Sequence, residues 1–290
     1  MVSRDPYDVC LGIARAHYEN FPVASILMPR HMRRDIAAVY AFARAADDFA
    51  DEGSLDPAAR HALLDGWEHR VRAASAGMAH DDGSDEGAIF AALERTMAAR
   101  NLPLTLFTDL LSAFHQDVDV TRYDSWARLL DYCRRSANPV GRLVLRISGR
   151  DDAALDASSD ALCTALQLTN FWQDLERDWE KGRVYLPADV LEAHGASPSS
   201  IGARAITPEL AAALADAATR TRTLFGWGRF VCEQVSGRFG VELRATWLGG
   251  TRILDRLEQS RFDVFQARPT LGWRDAPPLA ARLALWSARA

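Results

Sequence analysis

Five aspartates on two distant stretches are the residues best able to do chemistry. In "ARAADDFADEG" (43–53), Asp47 and Asp51 are four residues apart and Asp48 follows the first. In "NFWQDLERDWEKGR" (170–183), Asp174 and Asp178 repeat the spacing. On a helix, residues i and i+4 share a face, with Cβ atoms about 6 Å apart; Asp48 lies roughly a third of a turn away. Carboxylates so placed repel one another unless a cation neutralises them. Mg²⁺ suits them, because it binds through one or two carboxylates plus substrate phosphates and keeps several waters. Gln167, Asn170 and Gln173 occupy neighbouring turns of the helix bearing Asp174 and are candidate substrate-binding residues. A single DxxxD is ordinarily a wet helix face. Two of them, flanked by Tyr40, Phe42 and Phe49 and by Phe171, Trp172 and Trp179, suit a site wall better, although these rings could equally pack on neighbouring helices.

Basic groups accompany both pairs. Arg44 precedes Asp48 by one turn, and Lys181 and Arg183 follow Asp178. A guanidinium matches phosphate oxygens, so these residues can hold a diphosphate beside the metal. For Arg44 the competing reading is an i,i+4 salt bridge to Asp48.

The elements that must carry these groups are helical. Apolar residues recur at helical spacing over 27–51, where Ile36, Val39, Tyr40 and Ala43 share a face. Asp56-Pro57 marks the start of a helix running to about 76. "AGMAHDDGSDEG" is an exposed loop. Helices are expected at 86–99, 103–118 and 124–149, the last kinked or broken at Asn138-Pro139. One strong helix is expected over 156–181, then an irregular connection, then helices from Thr207-Pro208 to about 235 and over 240–265. Asp117 and Asp119 point apart on a helix and read as a helix end. We expect "PPLAARLALWSARA" to pack against the body rather than rest on a membrane. No repeat or linker divides the chain, so the expectation is a single all-α domain over 1–290, a helical bundle around a central apolar cavity.

Composition narrows the classes. The 290 residues carry a net charge of −5, with 39 acids against 34 bases, which argues against a nucleic-acid binder. The four cysteines form no CxxC pair, so neither a disulfide framework nor a zinc site is expected, and a cytoplasmic location fits. The first ten residues lack the apolar stretch of a signal peptide. The histidines show no metal-ligand spacing. "GWGRF" is no dinucleotide fingerprint, since it lacks the third glycine.

Taken together, these motifs resemble those of the squalene/phytoene synthases, head-to-head prenyl transferases of the class I isoprenoid synthase fold. Tyr40, Arg44, Asp47, Asp48 and Asp51 resemble the family's first aspartate-rich motif. "LQLTNFWQDLERDWEKGRVYLP" (166–187) resembles the second. The resemblance implies metal-binding roles for Asp47, Asp48, Asp51, Asn170, Asp174 and Asp178. It implies phosphate-binding roles for Arg183 and Tyr185. "YCRRSANPVGRLVL" (132–145) resembles the cavity-lining segment, with Tyr132 and Gly141 at matching positions. Within the family, "HYENFPVAS" (17–25), "SANPVG" and "LTNFWQD" resemble the bacterial hydroxysqualene synthases of hopanoid biosynthesis. Tyr18 and Asn20 stand where condensing relatives carry serines, and Gln173 where many carry arginine.

That resemblance implies Mg²⁺-dependent ionisation of presqualene diphosphate and capture of the rearranged cation by water, with Tyr132 near the reacting carbons. It also implies transient contact with a membrane surface and with other enzymes of the pathway. Two readings stand beside it: condensation of two prenyl diphosphates to presqualene diphosphate, squalene or phytoene, and a non-catalytic relative serving as a binding or assembly protein.

Overall fold

The structure, a computed structural model, describes residues 4–16 and 28–286. Tyr18 and Asn20 lie outside the described residues, and the helix expected from residue 27 starts only at Arg33, after a single 3-10 turn at Arg30–Met32 that follows Pro29. Among the described residues there are fourteen α-helices, no strand, and a single bridge between Arg122 and Val184. They form two compact units, one of Met1–Asp119 with Pro139–Asp156, the other of Val120–Asn138 with Ala157–Ala290.

The first unit contains α1 (Pro6–Ala16), α2 (Arg33–Asp51), α3 (Pro57–Ser75), α4 (Asp85–Arg100) and α5 (Leu104–Asp119). Local chemistry sets their ends. The Asp56 carboxylate accepts from the Ala59 amide at 2.8 Å, ahead of Pro57, and Ser84 accepts from Gly87 at 2.9 Å. Asn101 closes α4 at a left-handed φ of 50°. Helix α2 packs against α1, α3, α4 and α5. Its Phe42 meets Phe107 edge-on at 5.4 Å and Trp67 at 6.2 Å, and Phe49 meets Trp67 at 5.1 Å. Phe42 and Phe49 are therefore core aromatics, which is the packing alternative for those rings.

Helix α6 (Trp126–Ser136) ends at Ala137 and α7 (Asn138–Ile147) starts beside Pro139, so the kink expected there is a full break. In the second unit, α8 (Ala153–Gln173) stops one residue before Asp174, whose φ, ψ of −100°, 15° leave the helical region, and α9 (Leu175–Glu180) follows. The single helix expected over 156–181 is thus two. Two short helices, α10 (Ala188–Ala193) and α11 (Pro198–Gly202), lead to α12 (Pro208–Gln234) and α13 (Gly237–Gln259), which stops short of the expected 265. Close approach in this unit depends on glycine: a Cβ on Gly228 would stand 2.8 Å from the Leu162 backbone. Trp172 is buried, donates to Thr221 at 3.0 Å and stacks on Trp126, so it too is a packing residue.

The chain ends its described part with α14 (Ala276–Ala284), no residue of which is fully buried. It packs on α13 as expected, with Leu279 and Leu283 half-covered and Trp286 against Trp247, while its other face stays exposed. None of the four cysteines forms a disulfide, and burial pushes Cys133 up to about 12.

Candidate active site

The first acid set sits on α2, whose inner face (Ile36, Val39, Phe42, Ala46, Ala50) is buried and turns the polar residues outward. Arg44, with its side chain only 16% exposed, gathers three carboxylates: Asp47 at 3.4 Å, Glu52 at 2.6 Å, and Asp48 in direct contact. Burial would lower the Arg44 pKa, but Asp48, Asp47 and Glu52 outweigh it and the net shift is upward. Tyr40, half-buried one turn before, has its phenol pushed up by burial, with Asp47 and Asp48 adding to the effect and Arg44 opposing it. Asp51 lies a further turn along, partly exposed. The salt-bridge reading of Arg44 is thus what the structure contains.

The second set straddles the break between α8 and α9. A backbone i→i+4 hydrogen bond flanks it on either side: Asp174 donates to Asn170 at 2.8 Å, and Asp178 to Asp174 at 2.9 Å. Asp174 and Asp178 therefore keep their one-turn relation although the axis is interrupted. Asn170 donates its carboxamide to Asp174 at 2.8 Å. Arg268 grips the same carboxylate with Nε and with Nη2, the latter at 2.9 Å, and Asp174 is only 15% exposed. That hydrogen bond, ahead of burial, raises the Arg268 pKa. Gln173 donates to the Pro269 carbonyl, so two adjacent residues of the motif fasten the segment that carries Arg268. Gln167 lies two turns earlier on α8, half-buried.

Past α9, Gly182 turns at φ +80° and Arg183 donates its amide to the Asp178 carbonyl at 2.7 Å. The chain then carries Lys181 exposed, Arg183 partly exposed and Tyr185 buried. Tyr185 stacks on Phe171 at 3.7 Å, and Tyr132 lies 6.2 Å from Tyr185 and 6.3 Å from Phe171. Tyr123 completes this group, 5.6 Å from Tyr132. Such a cluster offers π faces at the buried end of the motif. Trp179 instead packs under Gly202, and Arg122 lies over its ring at 5.6 Å. Gly141 lies on α7 in the first unit, half-buried.

Among the described residues, no group of three or more His, Cys, Asp or Glu side chains converges to cage a metal. The donors are nonetheless carboxylate and carboxamide oxygens, partly open to solvent. Such a set fits Mg²⁺ that keeps waters and takes substrate oxygens, rather than an ion enclosed by protein.

Sequence reasoning missed Arg268. It lies 94 residues from Asp174, in a stretch without periodicity, and only a lone arginine before a proline marks it.

An all-α chain with two helical aspartate motifs, each beside basic groups, has the architecture of the class I isoprenoid synthases. The chain belongs to the squalene/phytoene synthase family, whose model matches residues 14–275. It is 39% identical over 243 residues to hydroxysqualene synthase of Rhodopseudomonas palustris, covering 83% of this chain and 80% of that protein. It is 33% identical over 268 residues to phytoene synthase of Thermus thermophilus, covering 92% and 88%. The solved structure titled squalene synthase HpnC from Alicyclobacillus acidocaldarius is similar at a TM-score of 0.82 and 41% identity, covering 89% of this chain and 94% of that one.

Proposed function

We propose that this enzyme is a hydroxysqualene synthase acting on presqualene diphosphate. The observation that carries the reading is the 39% identity, across 83% of the chain, to a protein of that name. The proposal treats 1–290 as one catalytic domain and requires both acid sets to serve one substrate.

In this reading the substrate C–O bond breaks and its electron pair leaves with the diphosphate. Arg44, Lys181 and Arg183, with Tyr40, Tyr185, Gln167 and Gln173, bind the departing group and stabilise its growing charge. Mg²⁺ held by Asp47, Asp48, Asp51, Asn170, Asp174 and Asp178 would supply further neutralisation of that charge. Tyr132 faces the hydrocarbon, where aromatic rings favour positive charge and exclude water until rearrangement is complete, and Gly141 is assigned to substrate binding. A water oxygen then bonds to the cationic carbon and loses a proton, giving hydroxysqualene and diphosphate. The work is assigned to the cytoplasm, at the inner face of the membrane and beside other enzymes of the pathway.

The similarity to phytoene synthase over 92% of the chain favours a second reading, condensation of two prenyl diphosphates. One assay separates them. Presqualene diphosphate and farnesyl diphosphate are offered separately, with Mg²⁺ and no reductant, and the lipid products are identified. Hydroxysqualene from the first and no turnover of the second is expected. Condensation of farnesyl diphosphate would sink the first reading.

A further inference from the structure

Two regions of the second unit expose large apolar side chains. Trp227 and Phe230 stand one turn apart on α12, Trp227 65% exposed. The segment 271–286 exposes Leu271, Trp273 at 80% and Leu285 at 79%, and α14 within it buries nothing fully. Leu279, Leu283 and Trp286 form its half-covered inner face, three and four residues apart. Trp286 meets Trp247 edge-on at 5.5 Å, and Arg229 lies 4.5 Å over its ring, which ties the end of the segment to α12 and α13. The exposed tryptophan and leucines are therefore held in place on an anchored element.

Charge says what they face. Within 271–286 the basic residues are Arg274 and Arg282, both exposed, and the only acid is Asp275. Asp275 is buried, bound by Arg256 at 2.7 Å and Arg252 at 3.2 Å, and its own hydrogen bond from the Gly272 amide leads the lowering of its pKa. The outward charge of this face is thus wholly positive, on a chain whose net charge is −5. Arg274 also lies 5.3 Å over the Trp273 ring, keeping arginine and indole together at the surface. Tryptophan beside arginine, with aliphatic groups alongside, is the composition that settles at a bilayer interface: the rings enter the headgroup level and the cations meet anionic lipid. Among the described residues no helix is long and apolar enough to cross a membrane, so the contact is peripheral.

We propose that segment 271–286 is a docking face for an anionic lipid surface. It does not depend on the proposed reaction.

The test is sedimentation of the full chain with phosphatidylglycerol–phosphatidylcholine vesicles and with phosphatidylcholine alone. Binding to the mixed vesicles, weakened by salt, is expected, with much less to the neutral ones. Arg274→Glu with Arg282→Glu should weaken it by at least about 25-fold, since each basic residue near such a surface contributes about 1 kcal/mol, or about fivefold. Trp273→Ser with Leu285→Ser should also release the protein, while Leu55→Ser and Leu63→Ser, exposed in the first unit, should not. Thermal melting of each variant separates loss of docking from loss of fold. No binding by the intact chain, or binding indifferent to both double variants, would overturn the proposal. So would self-association through this face, or a requirement for a second protein before vesicles bind.

Discussion

Arg44 shows what a charged residue can do before any ligand arrives. Its guanidinium sits among Asp47, Asp48 and Glu52, and the carboxylates that would otherwise repel are held together by it. The proposed diphosphate contact would require this guanidinium to exchange carboxylate partners for phosphate oxygens. Asp47 is half-exposed, so Asp47→Ala should leave the melting temperature nearly unchanged, within the roughly 0.5 kcal/mol typical of surface substitutions. Diphosphate release should fall at least about 100-fold, the scale for removing one stabilising group. Near-normal turnover would refute the metal assignment. Asp174→Ala should lose turnover equally but also some stability, because Arg268 would be left half-buried without its partner. A different residue governs behaviour in acid. Arg220 beside Asp216 holds its carboxyl below the usual value, with His194 adding to the effect. A depressed carboxylate contributes stability above its unfolded pKa of about 4, lost as pH falls through the folded value. Asp216→Asn should therefore flatten the fall of melting temperature below about pH 4, and an unchanged slope would dismiss the linkage.

The break between α8 and α9 sets the second motif. Nothing in "WQDLERD" marks it, for the stretch holds no proline or glycine. Asn138-Pro139 was legible because proline lacks an amide hydrogen and crowds the preceding turn. Gln173 and Asp174 fasten the segment around Arg268 and Pro269, so Arg268 occupies a carboxylate assigned to the metal. Arg268→Gln should then tighten Mn²⁺ binding several-fold without substrate, read by electron paramagnetic resonance, since a charge-assisted bond of about 1.5–3 kcal/mol no longer competes. Unchanged or weaker Mn²⁺ binding would show that Arg268 does not compete there. Where helices touch, Gly228→Ala should lower stability by about 1–3 kcal/mol, because its Cβ would press on the Leu162 backbone, which cannot move aside as a side chain can. Equilibrium denaturation measures the change, and a neutral result would mean α12 shifts freely.

At the scale of the whole molecule, charge is unevenly placed. A chain of net charge −5 carries a segment, 271–286, whose exposed charges are all positive, because its single acid is buried under two arginines. Composition averages this away. The family model, matching residues 14–275, spans residues of both compact units.

The sequence by itself determined the helical class, the helix starts at Asp56 and Thr207, the acid motifs and their neighbouring bases. These are local: hydrogen bonds and side-chain spacings within a turn or two specify them. Tertiary structure decided that Phe42, Phe49 and Trp172 pack against neighbouring helices, that Phe171 stacks on Tyr185, that Arg268 holds Asp174, and that the outer face of α14 stays exposed. Each of these depends on contacts between residues tens of positions apart, or on their absence. No periodicity encodes which distant side chain fills the space beside a given ring or carboxylate.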